Sequence, residues 1–127
     1  MSGDRHVTMF QPARVLSVCR AGGALFTRTE VLRSGGYHVV TASSIYEALA
    51  AIGREPFDVV IVGQRYDNAE KTLIATAARQ GGSKVLCMHS ENHHPDIPAA
   101  NAFIHNLDGP ERLLSAVASL LAEKASA

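Results

Sequence analysis

Net charge is the first thing this sequence lacks. Twelve basic and twelve acidic residues cancel, so no overall field draws the chain to nucleic acid or to an anionic membrane. No apolar run approaches the roughly 18 residues that span a bilayer. Residues 1–12 place Asp4, Arg5 and His6 where a secretion signal needs an apolar stretch. Cysteine is scarce, and Cys19 and Cys87 both fall in apolar, strand-like runs. That predicts buried, reduced thiols rather than a disulfide and, with no signal peptide, a cytoplasmic setting. A dinucleotide fingerprint is missing too, because Ala21-Gly22-Gly23 is too short to wrap a pyrophosphate. There is no internal repeat, low-complexity segment or interdomain linker. The 127 residues, 46% of them hydrophobic, are enough for one domain with a full core and too few for a second.

What is present is an alternation of short apolar runs with amphipathic stretches. The densest run is Phe57-Asp58-Val59-Val60-Ile61-Val62-Gly63. Four consecutive β-branched residues between an acid and a glycine predict a parallel strand buried on both faces. Arg14 to Cys19, Tyr37 to Ala42, Lys84 to Met88 and Ala102 to His105 are the other strand candidates. Spacing predicts helices between them. Ala24 to Ser34 turns Leu25, Val31 and Leu32 inward and stops at Gly35-Gly36. Ser44 and Glu47 have the spacing of a capping box ahead of an Ile45, Ala48, Leu49, Ile52 stripe, which Pro56 ends. Glu70 to Arg79 is a weaker helix, stopped by Gly81-Gly82. Pro110, behind Asp108, opens a long helix to about Lys124, with Leu113, Leu114, Val117, Leu120 and Leu121 as its stripe. Five strands alternating with helices define an α/β fold whose parallel sheet is covered on both faces. The alternation alone leaves the strand order open.

From about Arg14 to Lys124 the pattern resembles the receiver domains of bacterial response regulators. The Phe57–Gly63 run, the interval from Cys19 to Tyr37, the Ala102-Phe103-Ile104 strand and the Pro110-Glu111-Arg112-Leu113-Leu114 helix start carry the likeness. It implies a CheY-like, flavodoxin-like three-layer sandwich, a five-stranded parallel sheet in the order 2-1-3-4-5, with the site at the carboxyl ends of the strands. Residues 1–12 are then expected to be a flexible tail and residues 13–125 the domain. The chemistry of receivers does not carry over. Two adjacent acids that hold Mg²⁺ are matched by Cys19 and Arg20, and a guanidinium repels a divalent cation. The phosphoacceptor aspartate is matched by Gly63, the reporting hydroxyl by His89, and the lysine that neutralises the phosphoryl group by Asn106. Asp58 and Asp67 do not replace the acceptor without moving the backbone. The chain thus resembles a degenerate receiver, a pseudo-receiver.

One interval is also short. Seventeen positions separate His89 from Asn106, several fewer than receivers spend there, and they include Pro95 and Pro98. The family's fourth helix is expected to shrink to about one turn or to give way to a loop.

Three chemistries are open to the emptied site. Arg20, Gly63, Gln64 and His89, with backbone amides, form a possible anion site; alternatively Arg20 faces solvent or pairs with an acid such as Asp67. His89, His93, His94, His105 and Cys19 are zinc-type ligands, but no recognised ligand spacing joins them, so no metal or cofactor is expected. A Cys19–His89 nucleophile is set against a simpler reading of Cys19 as a packing residue, and no catalysis is expected. The expected function is a module of two-component, phosphorelay signalling that acts through phosphorylation-independent protein–protein contacts. Its partner would be a histidine kinase, another receiver or a copy of itself as a homodimer, with no nucleic acid, no membrane and no output domain in cis. The alternative is a binding protein that senses a small, phosphate-like anion through an Arg20/His89 cleft.

Overall fold

The computed structural model describes residues 11–20 and 22–126. Apart from Gln11 and Pro12, the predicted tail lies outside the described residues. In chain order the elements are β1 (Arg14–Val18), α1 (Gly23–Ser34), β2 (His38–Ala42), α2 (Ile45–Arg54), β3 (Val59–Val62), α3 (Asn68–Gln80), β4 (Lys84–His89), β5 (Ala102–His105) and α4 (Pro110–Ser126). The strands form one sheet in the order β2-β1-β3-β4-β5. Every pairing is parallel, as in Val18 opposite Val62, Val62 opposite Cys87 and His89 opposite His105. This is the flavodoxin-like three-layer arrangement expected from the sequence.

Side-chain alternation along the strands divides the core in two. Val60 and Val62 face α2 and α3, where Ala48, Ala51, Ile74, Ala75 and Ala78 receive them. Val59 and Ile61 face α1 and α4, against Leu32, Leu113, Val117 and Leu120. Each fully buried Val, Leu or Ile contributes about 1.5–3 kcal/mol. Helices α1 and α3 both end on paired glycines, whose second members, Gly36 and Gly82, take φ of 89° and 91°. A side chain at either would be strained, so both helices stop there. No helix of the described residues is long and apolar enough to cross a membrane.

Helix starts differ in detail from expectation. At α2 only half of the capping box forms. The Ser44 hydroxyl accepts from the Glu47 amide, while the Glu47 carboxylate reaches one residue further back, to the amide and hydroxyl of Ser43. At α3 there is a complete box that the spacing of Asp67 and Glu70 could have announced. Asp67 accepts from the Glu70 amide at 2.8 Å, and Glu70 accepts from the Asp67 amide at 2.9 Å. This box starts α3 two residues before the expected Glu70.

The segment between β4 and β5 is a loop without a helix, so the family's fourth helix is replaced rather than merely shortened. Pro95 and Pro98 remove two amide donors from it. The loop is held by Ile97, which is 2% exposed and sits in the core against α3. Arg79 also donates to the Ala99 carbonyl, and the Val85 amide to the Asn101 side chain. Ile97→Ala is therefore expected to cost about 2–4 kcal/mol in a denaturant titration. A loss below about 1 kcal/mol would show that the loop does not depend on this anchor.

Candidate functional site

Parallel pairing brings the carboxyl ends of β1, β3, β4 and β5 to one end of the sheet. The Gly63 amide donates to the Val18 carbonyl at 2.8 Å, and the Asn106 amide to the His89 carbonyl at 2.8 Å. Cys19, Gly63, His89 and Asn106 are thus gathered at this one end of the sheet. Asp58 lies at the opposite end of β3, accepting from the Arg14 amide. Asp67 is committed to capping α3.

Gly63 is buried, and its amide is spent inside the sheet. A Cβ built on it would stand 3.0 Å from the Val18 carbonyl oxygen and 3.4 Å from Nη1 of Arg28. The space in which a receiver carries its acceptor side chain is bordered here by a guanidinium. Arg28 was not singled out from sequence, although it carried a signal. It stands three residues after Leu25 and four before Leu32, within the apolar stripe of α1. Only 8% of it is exposed. Nη2 donates to Oε1 of Gln64 at 3.2 Å, and Nη1 is buried without a hydrogen-bond partner. Among the described residues no carboxylate pairs with it. A buried charge in that condition costs several kcal/mol.

Arg20 points elsewhere. Its Nη2 lies 3.3 and 3.4 Å from the two Glu70 oxygens, and its guanidinium covers the Tyr66 ring at 4.6 Å. The acid that takes it is Glu70 rather than Asp67. Burial raises the Tyr66 phenol above its usual range, with the Arg20 charge working in the opposite direction.

His89 is also occupied. Its Nδ1 is 3.0 Å from the Glu91 carbonyl, and its ring meets His105 edge-on at 5.3 Å between centroids. His105 accepts from the Leu107 amide at Nδ1 and contacts the Ser90 carbonyl at Nε2, a pattern that one neutral tautomer satisfies. His94 stacks on Phe103 at 4.1 Å. Among the described residues no group of three or more His, Cys, Asp or Glu is placed to hold a metal ion, and no hydrogen bond joins Cys19 to His89.

Beneath β4 lies a buried cation that the sequence pattern did not mark. Lys71 of α3 is 3% exposed and donates to the Met88 carbonyl at 2.8 Å. Burial lowers its ammonium below the usual lysine range, and the neighbouring Cys87 and Glu91 act the other way. Burial pushes the Cys87 thiol up to about 11, against the pull of Lys71.

The open space at this end of the sheet is a cleft of about 360 Å³ between α1, the ends of β4 and β5, and the start of α4. Thr27, Arg28, Gln64, His105 and Asn106 supply its polar lining, and Val31, Met88 and Leu113 much of the rest. Of the four residues expected to bind an anion, only Gln64 lines it; Arg20, Gly63 and His89 do not.

Comparison with solved structures gives the same fold. A CheY-like receiver domain protein from Methanospirillum hungatei JF-1 superposes with a TM-score of 0.81 at 24% identity, covering 91% of this chain and 98% of that one. The receiver domain of the sensor histidine kinase PA1611 from Pseudomonas aeruginosa PAO1 gives 0.76 at 16% identity, covering 88% and 99%. That domain has a magnesium ion coordinated in its active-site cleft. An adenylate cyclase structure from Rhodopirellula baltica gives 0.76 at 23% identity, covering 90% of each chain. No family model matches the sequence, and no curated protein matches it. The chain has the fold of a CheY-like response regulator receiver domain.

The thiol yields a pH prediction. A thiol raised from 9.0 to about 11 holds its proton more tightly in the folded state. Its contribution is complete below pH 9 and is lost as pH rises toward 11, by at most about 3 kcal/mol. Lys71, being lowered, works in the opposite direction, so the comparison must isolate Cys87. The stability difference between wild type and Cys87→Ala, measured by denaturant titration, is expected to narrow from pH 8.5 to 11. A constant difference would mean that the thiol does not titrate differently on unfolding.

Proposed function

We propose that this chain is a receiver-like module of two-component signalling that works without phosphorylation, through contact with another signalling protein. The observation that carries the reading is the Arg28 guanidinium beside Gly63, 3.4 Å from where an acceptor Cβ would stand. A receiver needs an ionised carboxylate at this place and acids nearby to hold Mg²⁺. Here Gly63 offers no nucleophile, Cys19 is buried, and Arg20 brings a cation. The reading includes no catalysis. The alternative drawn from sequence, an anion sensor built on Arg20 and His89, finds no support, because Arg20 is held by Glu70 and His89 by its own loop.

The proposed partner is a histidine kinase, another receiver or a second copy of the chain. Leu107 in the β5–α4 turn is 81% exposed and Phe26 on α1 is 69% exposed. Both are large apolar groups left in solvent, as is Tyr46 of α2, whose residue type is the one enriched among contact anchors.

Acetyl phosphate or beryllofluoride with Mg²⁺ is expected to leave mass and amide NMR spectra unchanged. Gly63→Asp alone is expected to remain unreactive, since its carboxylate would meet Arg28 and the metal-binding acids would still be missing. A Mg²⁺-dependent gain of one phosphoryl group on any aspartate of the wild-type chain would overturn the reading.

A further inference from the structure

The geometry points to a binding site for a small organic oxyanion, a carboxylate or phosphate monoester with a short apolar body, whose head takes the Arg28 guanidinium. This goes beyond the proposed signalling role and does not depend on it. Arg28 is more than nine-tenths buried, borders the cleft, and pairs with no carboxylate among the described residues. Its one side-chain partner is the neutral amide oxygen of Gln64, at 3.2 Å, and Nη1 has none. An anionic oxygen makes roughly twice as strong a bond to a guanidinium as a neutral one. An oxyanion that displaces Gln64 Oε1 therefore gains on exchange and reaches a second N–H that is otherwise unpaired.

The surroundings fit such a ligand. Asn106 borders the same cleft, and the NH₂ end of its carboxamide is the donor it can offer an oxyanion, since the buried Oδ1 only accepts. The cleft meets the start of the 17-residue helix α4 at Gly109 and Pro110, where the helix dipole favours negative charge although Pro110 has no N–H to donate and Glu111 already stands in the first turn. Asp108 stands near this end, but its carboxylate accepts from the His105 amide. The opposite wall is apolar, formed by Val31, Met88 and Leu113. About 360 Å³ exceeds what an inorganic anion occupies and lies within the range of small-molecule sites, whose usual form is an apolar cleft with a few orienting polar groups. The head of the ligand is fixed by charge and its body by burial.

Gln64→Glu gives the decisive variant, because it places a carboxylate on Arg28 without changing side-chain length. Thermal unfolding of the full chain is measured with phenyl phosphate, benzoate, inorganic phosphate and neutral phenol at matched ionic strength. Wild type is expected to show a saturable rise in Tm with benzoate or phenyl phosphate, and the better of the two identifies the head group. Inorganic phosphate is expected to be much weaker and phenol inactive. Gln64→Glu is expected to melt higher than wild type without ligand and to lose the response. Arg28→Met is expected to lose the response as well. Should Arg28→Met fail to fold, ligand-induced amide shifts near Gln64 and Asn106 in wild type, absent in Gln64→Glu, provide the same reading. The proposal is overturned if wild type responds to neither organic anion, if inorganic phosphate or phenol matches them, or if Gln64→Glu responds as wild type does.

Discussion

A parallel strand in the middle of a sheet must satisfy two apolar faces at once. Val59–Val62 does so with four β-branched side chains, all at 0% exposure. A slip of one residue would exchange the sets facing the two helix layers, so the register is held by packing on both sides. The position after Val62 is therefore fixed in space before any site chemistry enters. Gly63 lands beneath the Val18 carbonyl and hydrogen-bonds to it, and the ends of β1, β4 and β5 line up beside it. The rest of this end of the molecule inherits its geometry from that strand.

Two arginines meet this scaffold under opposite conditions of solvation. Arg20 remains about half exposed and neutralised, lying over Tyr66 and paired with Glu70. Such a pair adds at most about 1 kcal/mol. It links the end of β1 to the first turn of α3, which the Asp67–Glu70 box already holds. Arg28 carries the same charge into the protein without a carboxylate, where the penalty runs to several kcal/mol and must be offset by the surrounding core. Its aliphatic stem belongs to the buried stripe of α1 with Thr29 and Leu32. The packing of the stem explains how the residue is tolerated, while the unpaired head is the feature that packing does not explain.

Period and punctuation made the fold legible. The Val59–Val62 run, the paired glycines after α1 and α3, and Pro110 at the head of α4 each express a backbone rule that acts within a few residues. Cys19, Gly63 and Asn106 each follow directly on a strand and His89 ends one, so the pattern that locates the strand ends also places these residues. Partnership was not legible. Nothing near Arg20 in the chain indicates that Glu70, fifty positions away, takes it rather than Asp67. Nor does local spacing show that Gly63 removes the side chain that would otherwise contact Arg28. An arginine in an apolar helical stripe reads as a snorkelling surface residue until the topology shows what stands above it. Lys71 was hidden in the same way, because its acceptor is a backbone carbonyl on β4, which no sequence pattern marks.

On the proposed reading, the residues at this end of the sheet also change what kind of signal it carries. A receiver responds because its charge changes when a phosphoryl group arrives and the strand-four hydroxyl reports it. Here the charge beside Gly63 is the Arg28 guanidinium, and His89 bonds to its own loop and packs on His105. A fixed charge shifts no equilibrium, because only an interaction that differs between two states can do so. The segment between β4 and β5, where receivers carry their fourth helix, is a loop held by Ile97, Arg79 and Asn101. On the proposed reading, input to this fold comes as an added contact, from a partner's surface or from an anion that completes Arg28. The cleft beside Arg28 holds a buried cation without a carboxylate partner among the described residues, which is the feature such a contact would complete.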